Sequence, residues 1–162
     1  MGLDGLGIRI RWHRLKTLVF NEDVIGPWVC ARTGGKFDGM GTAIGLEEDG
    51  RIIAGVLYDG FNGRSICMHV ASDGSRGWMT REYLRVCFDY PFRQLGVCKI
   101  LGLVDSKNLA ARQFDEALGF KLECEIPDAG PVGSLCIYSM TPSDCRFLQL
   151  KERHGRKKLP TC

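Results

Sequence analysis

Between Gly41 and Ala71 the chain has room for strands and little else. Gly41 to Leu46 is extended and apolar, Arg51 to Tyr58 is a second such run, and Arg64 to Ala71 is a third. The links between them are Glu48-Asp49-Gly50-Arg51 and Asp59-Gly60-Phe61-Asn62-Gly63. Asp-Gly supplies the positive φ angles that a tight hairpin turn demands. Three sequential strands joined by short turns make an antiparallel meander.

The rest of the chain alternates. Leu15 to Phe20 reads as a short strand. Asn21 or Asp23 caps a helix through Trp28 and Val29 that ends near Gly34-Gly35, with Pro27 near its first turn. After the meander comes the glycine-rich loop Ser72-Asp73-Gly74-Ser75-Arg76-Gly77. A helical segment follows, Met79 to Leu95, with Met79, Tyr83, Cys87 and Phe88 at helical spacing. Pro91 should kink it or end its regular part, and Gly96 stops it. Val97 to Val104 is a buried strand by composition. Asp105 or Ser106 caps the next helix, which closes at Leu118-Gly119. Lys121 to Ile126 and Leu135 to Met140 are two further strands, split by the loop Pro127 to Gly133. The crossover through Met79–Leu95 implies one parallel strand pair inside a mostly antiparallel sheet. The class is mixed α/β, of the α+β kind.

Composition narrows the function. The 162 residues suit one domain, and 44% hydrophobic residues are enough for a core. Residues 151–162 hold five basic side chains against Glu152, a net of +4, while the whole chain carries +3. The body, residues 1–150, is therefore near neutral, which argues against a nucleic-acid face on it. Nucleic acid is left only a contact through the basic tail, and that is not the favoured reading. No apolar run approaches the ~20 residues of a membrane span. Met1 to Arg14 lacks the apolar stretch of a signal peptide. The expectation is a cytoplasmic protein. None of the eight cysteines forms a C-x-x-C pair, so they read as reduced core thiols, and no metal site is expected.

The loop before the Met79–Leu95 helix is the first chemical clue. A helix start presents unpaired N–H groups and partial positive charge, and glycines let a ligand approach the backbone. Gly74 and Gly77 have neither dinucleotide-fingerprint nor P-loop spacing.

Then comes an ordered set of motifs: Tyr90-Pro91-Phe92-Arg93-Gln94-Leu95-Gly96-Val97, an apolar strand, Asn108-x-x-Ala111, and Ala117-Leu118-Gly119-Phe120. Together they resemble the GNAT superfamily of N-acetyltransferases. The resemblance is closest to the branch of ribosomal-protein N-terminal acetyltransferases. Small phage-borne members are similar as well, including at Trp78-x-Thr80-Arg81 and Tyr138-x-Met140.

The resemblance implies acetyl transfer from acetyl-CoA to a primary amine. The acceptor is unidentified: a protein N-terminus, a lysine or a small molecule. It implies splayed central strands, with the coenzyme arm along Val70 and Ala71. It places the pyrophosphate on the loop Gly74, Ser75, Arg76, Gly77, Trp78, Met79 and Thr80, and Asn108, Ala111 and Phe114 beside the cofactor. A monomer or homodimer is expected. Of the family's pyrophosphate signature only Gly77 fits. The tyrosine that many relatives carry seven residues after the asparagine is replaced here by Asp115.

An ordinary aspartate is ionised at neutral pH and donates no proton unless burial raises its pKa. The expectation for Asp115 is a surface carboxylate. The acid then falls to Tyr138, Tyr83 or water, and His69, the only histidine in a core strand, is the base. Glu47 and Glu48 read as solvated at a hairpin tip. Trp12 and Trp28 fall in the third that forms the acceptor side. An alternative is an inert relative that binds a partner or nucleic acid, the basic tail contributing.

Overall fold

The computed structural model describes residues 15–148. Trp12 and the basic tail lie outside them. Eleven elements follow one another: β1 Lys16–Val19, α1 Glu22–Thr33, β2 Thr42–Glu48, β3 Arg51–Asp59, β4 Ser65–Ser72, α2 Arg81–Asp89, a π-helical turn Tyr90–Leu95, β5 Lys99–Asp105, α3 Leu109–Leu118, β6 Lys121–Ile126 and β7 Leu135–Met140. The seven strands form one sheet in the order β1-β2-β3-β4-β5-β7-β6. Every neighbouring pair is antiparallel except β4–β5. The expected class and the meander are both present.

Local chemistry explains most boundaries. Asp49 and Gly50 both adopt positive φ, 51° and 78°, in the β2–β3 turn. Asn21 caps α1 through its side-chain oxygen, which accepts from the Val24 amide, and left-handed Gly34 ends the helix. Three expectations shift. Pro27 sits inside α1 rather than in its first turn. The second helix starts at Arg81, not Met79, because Thr80 Oγ1 accepts from the Tyr83 amide and caps it there. The cap of α3 is Asn108, not Asp105 or Ser106. Asp105 instead accepts from the amides of Lys107, Val132 and Gly133, and Ser106 Oγ accepts from Ser134. Both are spent on tying the β6–β7 loop to the end of β5. Pro91 ends the regular helix as expected, and the wider π turn accommodates it.

The sheet has a core on each face. On one, α2, the π turn and α3 cover Tyr58, Phe88, Phe92, Ile100, Tyr138 and Met140, all at 1% exposure or less. On the other, Ile25 and Val29 of α1 pack on Ala43, Leu57 and Ala71. Gly45 and Gly55 face each other across β2–β3 beneath α1. A Cβ on Gly45 would lie 2.4 Å from Ile25, and one on Gly55 2.8 Å from Val29. The glycines let the helix settle closer than side chains would permit.

Two buried hydrogen bonds fix α2. Tyr58 donates to the Cys87 carbonyl at 2.6 Å, and Tyr83 donates to the Ile44 carbonyl at 2.8 Å. The loop that enters α2 is thus mounted on a rigid helix. Among the described residues Cys30, Cys67, Cys87, Cys124, Cys136 and Cys145 are free thiols. Cys98 is disulfide-bonded, so the reading of reduced thiols does not extend to it.

Candidate acyl-transfer site

The site begins where two strands part. β4 and β5 pair only at Ser65–Lys99, Ile66–Ile100 and Cys67–Leu101. Both strands continue, β4 to Ser72 and β5 to Asp105, without pairing further. Alternate backbone groups of a strand point to either side, so past Cys67 the β5-facing edge of β4 offers unpaired donors and acceptors. Val70 and Ala71 lie on this open stretch, Val70 turned toward the α2–α3 core and Ala71 toward α1.

The open end leads to the loop 72–80. Gly74 adopts φ 90°, its amide donating to Ser72 Oγ, and the Ser75 amide donates to Asp73. Those Ser75 contacts hold the Asp73 carboxyl below its ordinary range. The Met79 and Thr80 amides donate to the Arg76 and Trp78 carbonyls. Among the described residues no acceptor takes the N–H of Arg76, Gly77 or Trp78. Three consecutive free donors ahead of a helix start are the kind of arrangement that suits an anion. Trp78 is buried against Tyr83 and Phe114, with centroids 6.2 and 5.7 Å away, so the loop is anchored from below. Met79 is exposed. Lys16 of β1 donates to the Gly77 carbonyl at 2.5 Å and lies 3.7 Å from Glu48.

Asn108 caps α3, its side-chain oxygen accepting from the Ala111 amide at 3.1 Å. Ala111 and Phe114 pack at the margin of the larger core. The two residues expected to handle protons lie on opposite faces of the sheet. His69 stands on the α1 face, its Nε2 3.1 Å from both carboxylate oxygens of Asp59. Its side chain is 26% exposed, so solvent and a ligand can reach it. Tyr138 is fully buried under α3. Its phenol donates to Glu116 at 2.9 Å and accepts from Arg112 Nε at 3.1 Å.

Asp59 carried no signal in the sequence, and Asp115, which stands where many relatives carry a tyrosine, read as a surface carboxylate. Asp59 was part of a turn in the sequence, but the β3–β4 register brings it beside His69. Asp115 is not a surface carboxylate. Its Oδ2 lies 2.9 Å from where a Gly102 Cβ would stand, and burial together with the nearby Glu116 charge raises its pKa to about 7. Gly102, a glycine inside a buried strand, was the available clue to a close approach. Trp28 carries the Arg32 guanidinium 3.7 Å over its ring, at the edge of the α1 core. Glu48 is mostly shielded beside Lys16. Among the described residues no cluster of His, Cys, Asp and Glu is placed to hold a metal ion, and no helix is long and apolar enough to cross a membrane.

No family model matches the chain. No curated protein matches it either. Solved structures do. Mutant forms of the spermidine/spermine N-acetyltransferase SpeG from Vibrio cholerae superpose with TM-score 0.64 at 16% identity, over 80% of this chain and 96% of that one. The chain has the GNAT fold. A candidate acetyltransferase, yncA from Salmonella typhimurium, solved with its cofactor acetyl-CoA, gives TM-score 0.59 at 16% identity over 78% and 93%. The ribosomal-protein-S5-alanine acetyltransferase from Vibrio fischeri gives 0.54 at 18% over 67% and 65%, so this chain spans less than two thirds of its length. At these identities the likeness is one of GNAT fold.

Proposed function

We propose that the chain is an N-acyltransferase that moves an acetyl group from acetyl-CoA to a primary amine by direct attack. The observation that carries this reading is the parting of β4 and β5 after Cys67–Leu101, opening toward a loop with three free amides. A gap edged by unpaired backbone suits an extended amide-bearing arm. The cradle at Arg76, Gly77 and Trp78 suits its phosphates, with Gly74, Ser75, Met79 and Thr80 shaping the loop. Val70 and Ala71 would hold the arm, and Asn108, Ala111 and Phe114 would border it. The thioester supplies an activated acyl group. The protein's own work is to orient the amine, remove its proton and keep water out. His69, oriented by Asp59, takes the amine proton on the α1 face. Neighbours named for spermidine/spermine and for ribosomal-protein-S5 alanine make both polyamines and protein amines reasonable acceptors.

Titration calorimetry with acetyl-CoA tests the reading. The expected Kd lies in the range of about 1 μM to 1 mM usual for enzyme substrates. A panel of spermidine, lysine and peptides, read by mass spectrometry for an added acetyl group, then finds the acceptor. No heat at millimolar acetyl-CoA overturns the proposal.

Lys16 sharpens the prediction for the loop. A peptide unit is planar and trans, so pinning the Gly77 carbonyl aims the following Trp78 N–H the opposite way. The ammonium also polarises that peptide and strengthens its donor. Lys16→Met is expected to weaken acetyl-CoA binding by about tenfold, equivalent to ~1.4 kcal/mol. Affinity for acetyl-pantetheine, which lacks the pyrophosphate, should stay unchanged in the same calorimeter.

A further inference from the structure

The acyl-transfer reading leaves open what protonates the departing sulfur. The chain has four tyrosines, and the structure commits the hydroxyl of each. Tyr58 donates to the Cys87 carbonyl, Tyr83 to the Ile44 carbonyl, Tyr90 to Thr42 Oγ1 and Tyr138 to Glu116. None of these protons is directed into the gap between β4 and β5.

Asp115 is placed differently. It sits on α3, and its carboxylate rests over Gly102. Gly102 is the first β5 residue past the last β4–β5 pair, so the carboxylate stands at the point where the strands part. Any side chain at 102 would collide with it, since a Cβ would lie 2.9 Å from Oδ2. Among the described residues no hydrogen-bond donor reaches the carboxylate. Arg112, one turn away on the same helix, has its Nε turned to Tyr138.

We propose that Asp115 is the acid that gives its proton to the leaving thiol sulfur at the apex of the strand gap. The proposal rests on the acyl-transfer reading. The neutral amine nitrogen bonds to the carbonyl carbon, and the carbon–sulfur bond breaks. The sulfur leaves with the bonding pair and takes the Asp115 proton. His69, having passed the proton of the ammonium to solvent, takes the surplus proton of the attacking amine, and Asp115 is reprotonated from solvent. Nothing is oxidised or reduced.

The charge environment permits this. Glu116 on α3 raises the affinity of Asp115 for its proton, as burial does. Among the described residues, the ionisable side chain that β7 brings to this spot is Tyr138, held between Arg112 and Glu116. β5 offers the bare Gly102, and the glycine loop offers Trp78 through Phe114. No cation on the facing elements drives the carboxyl to ionise. With a pKa of about 7, a large share of Asp115 carries its proton at neutral pH.

Asp115→Asn keeps the shape and removes the transferable proton. The expected result is a fall in kcat of about 100-fold on acetyl-CoA, with the calorimetric Kd for acetyl-CoA changed less than about twofold. The wild type should lose kcat as pH rises through about 7, and the variant should lose that limb. On an acetyl thioester of a nitrothiophenol, whose thiolate leaves without a proton, the two proteins should react alike. A readout independent of turnover is the melting temperature. The unfolded carboxyl ionises near its ordinary 3.8 and the folded one near 7, so between those values the folded state holds a proton that the unfolded state has lost. Wild-type stability therefore falls as pH rises through that window, and Asp115→Asn should gain on it from pH 4 to pH 8. Unchanged kcat at every pH, or an equal loss on the aryl thioester, overturns the role of Asp115 alone. A wild type that binds no acetyl-CoA overturns this proposal and the acyl-transfer reading together, and the melting series then still reports the state of the carboxyl.

Discussion

His69→Gln is expected to lower kcat/KM for the amine acceptor by about 10²- to 10³-fold while leaving acetyl-CoA affinity unchanged. A primary amine of the lysine kind has a pKa near 10.4 and is almost wholly protonated at neutral pH, and in that form it has no lone pair to attack with. His69 is the one side chain on the α1 face of the open strand pair that has both a partner and an accessible ring. Asp59 meets its Nε2 with both oxygens at 3.1 Å and so fixes the ring. Glutamine fills a similar volume and still donates to Asp59, but it accepts no proton. Steady-state kinetics as a function of pH check the point. On the acetyl thioester of a nitrothiophenol, whose leaving group needs no acid, raising the pH should partly rescue the variant, because solvent then deprotonates the amine. Activity within twofold of wild type across the pH range would remove His69 from the mechanism.

The largest stability effect is expected at Phe88. It is fully buried, stacks on Phe147 at 5.1 Å with ring planes 4° apart, and meets Phe120 at 6.3 Å. Three separate segments, α2, the end of α3 and the chain after β7, converge on this ring. Phe88→Ala removes the ring and leaves a cavity that two rigid aromatics cannot collapse into, at a cost of about 3–5 kcal/mol. For a protein of this size each kcal/mol shifts the melting temperature by about 2–4 °C, so a drop of about 10 °C or more is expected by calorimetry. Because α2 carries the glycine loop, acetyl-CoA should protect the variant less than the wild type when both are melted with it. A change in melting temperature under 3 °C would mean the cluster repacks freely.

Much of the architecture was legible because it is written in short-range chemistry. Asp49-Gly50 dictates its hairpin, Gly34, Gly96 and Gly119 end their helices in the left-handed region, and Asn21 caps α1. The start of α3 moved because more than one polar residue could have capped it. Asp105 looked like a cap in the sequence, and it lost that role to Asn108 because the β6–β7 loop, distant in the chain, supplied amides to it.

The site divides along the same line. The glycine loop and His69 were legible, since a loop before a helix and a histidine in a strand are local facts. The face that each residue occupies is not a local fact. Strand parity puts His69 and Tyr138 on opposite sides of the sheet, and the Tyr138 proton goes to Glu116. Asp59 joins His69 only through the β3–β4 register. Asp115 shows the limit most clearly. By sequence it is an ordinary helix carboxylate, and its ionisation depends on what stands opposite. That partner is Gly102, with no side chain either to hold the helix away or to donate to the carboxylate.

The three-strand meander between Gly41 and Ala71, the crossover to a parallel strand and the glycine loop before α2 were determined by the sequence alone. Turn chemistry and hydrophobic period act within a few residues and need no tertiary partner. Where β4 and β5 part, which face each ionisable group occupies, and whether Asp115 keeps a proton were decided only by the tertiary structure. Burial, register and the local dielectric are properties of the packed neighbourhood, and residues far apart in the chain create them.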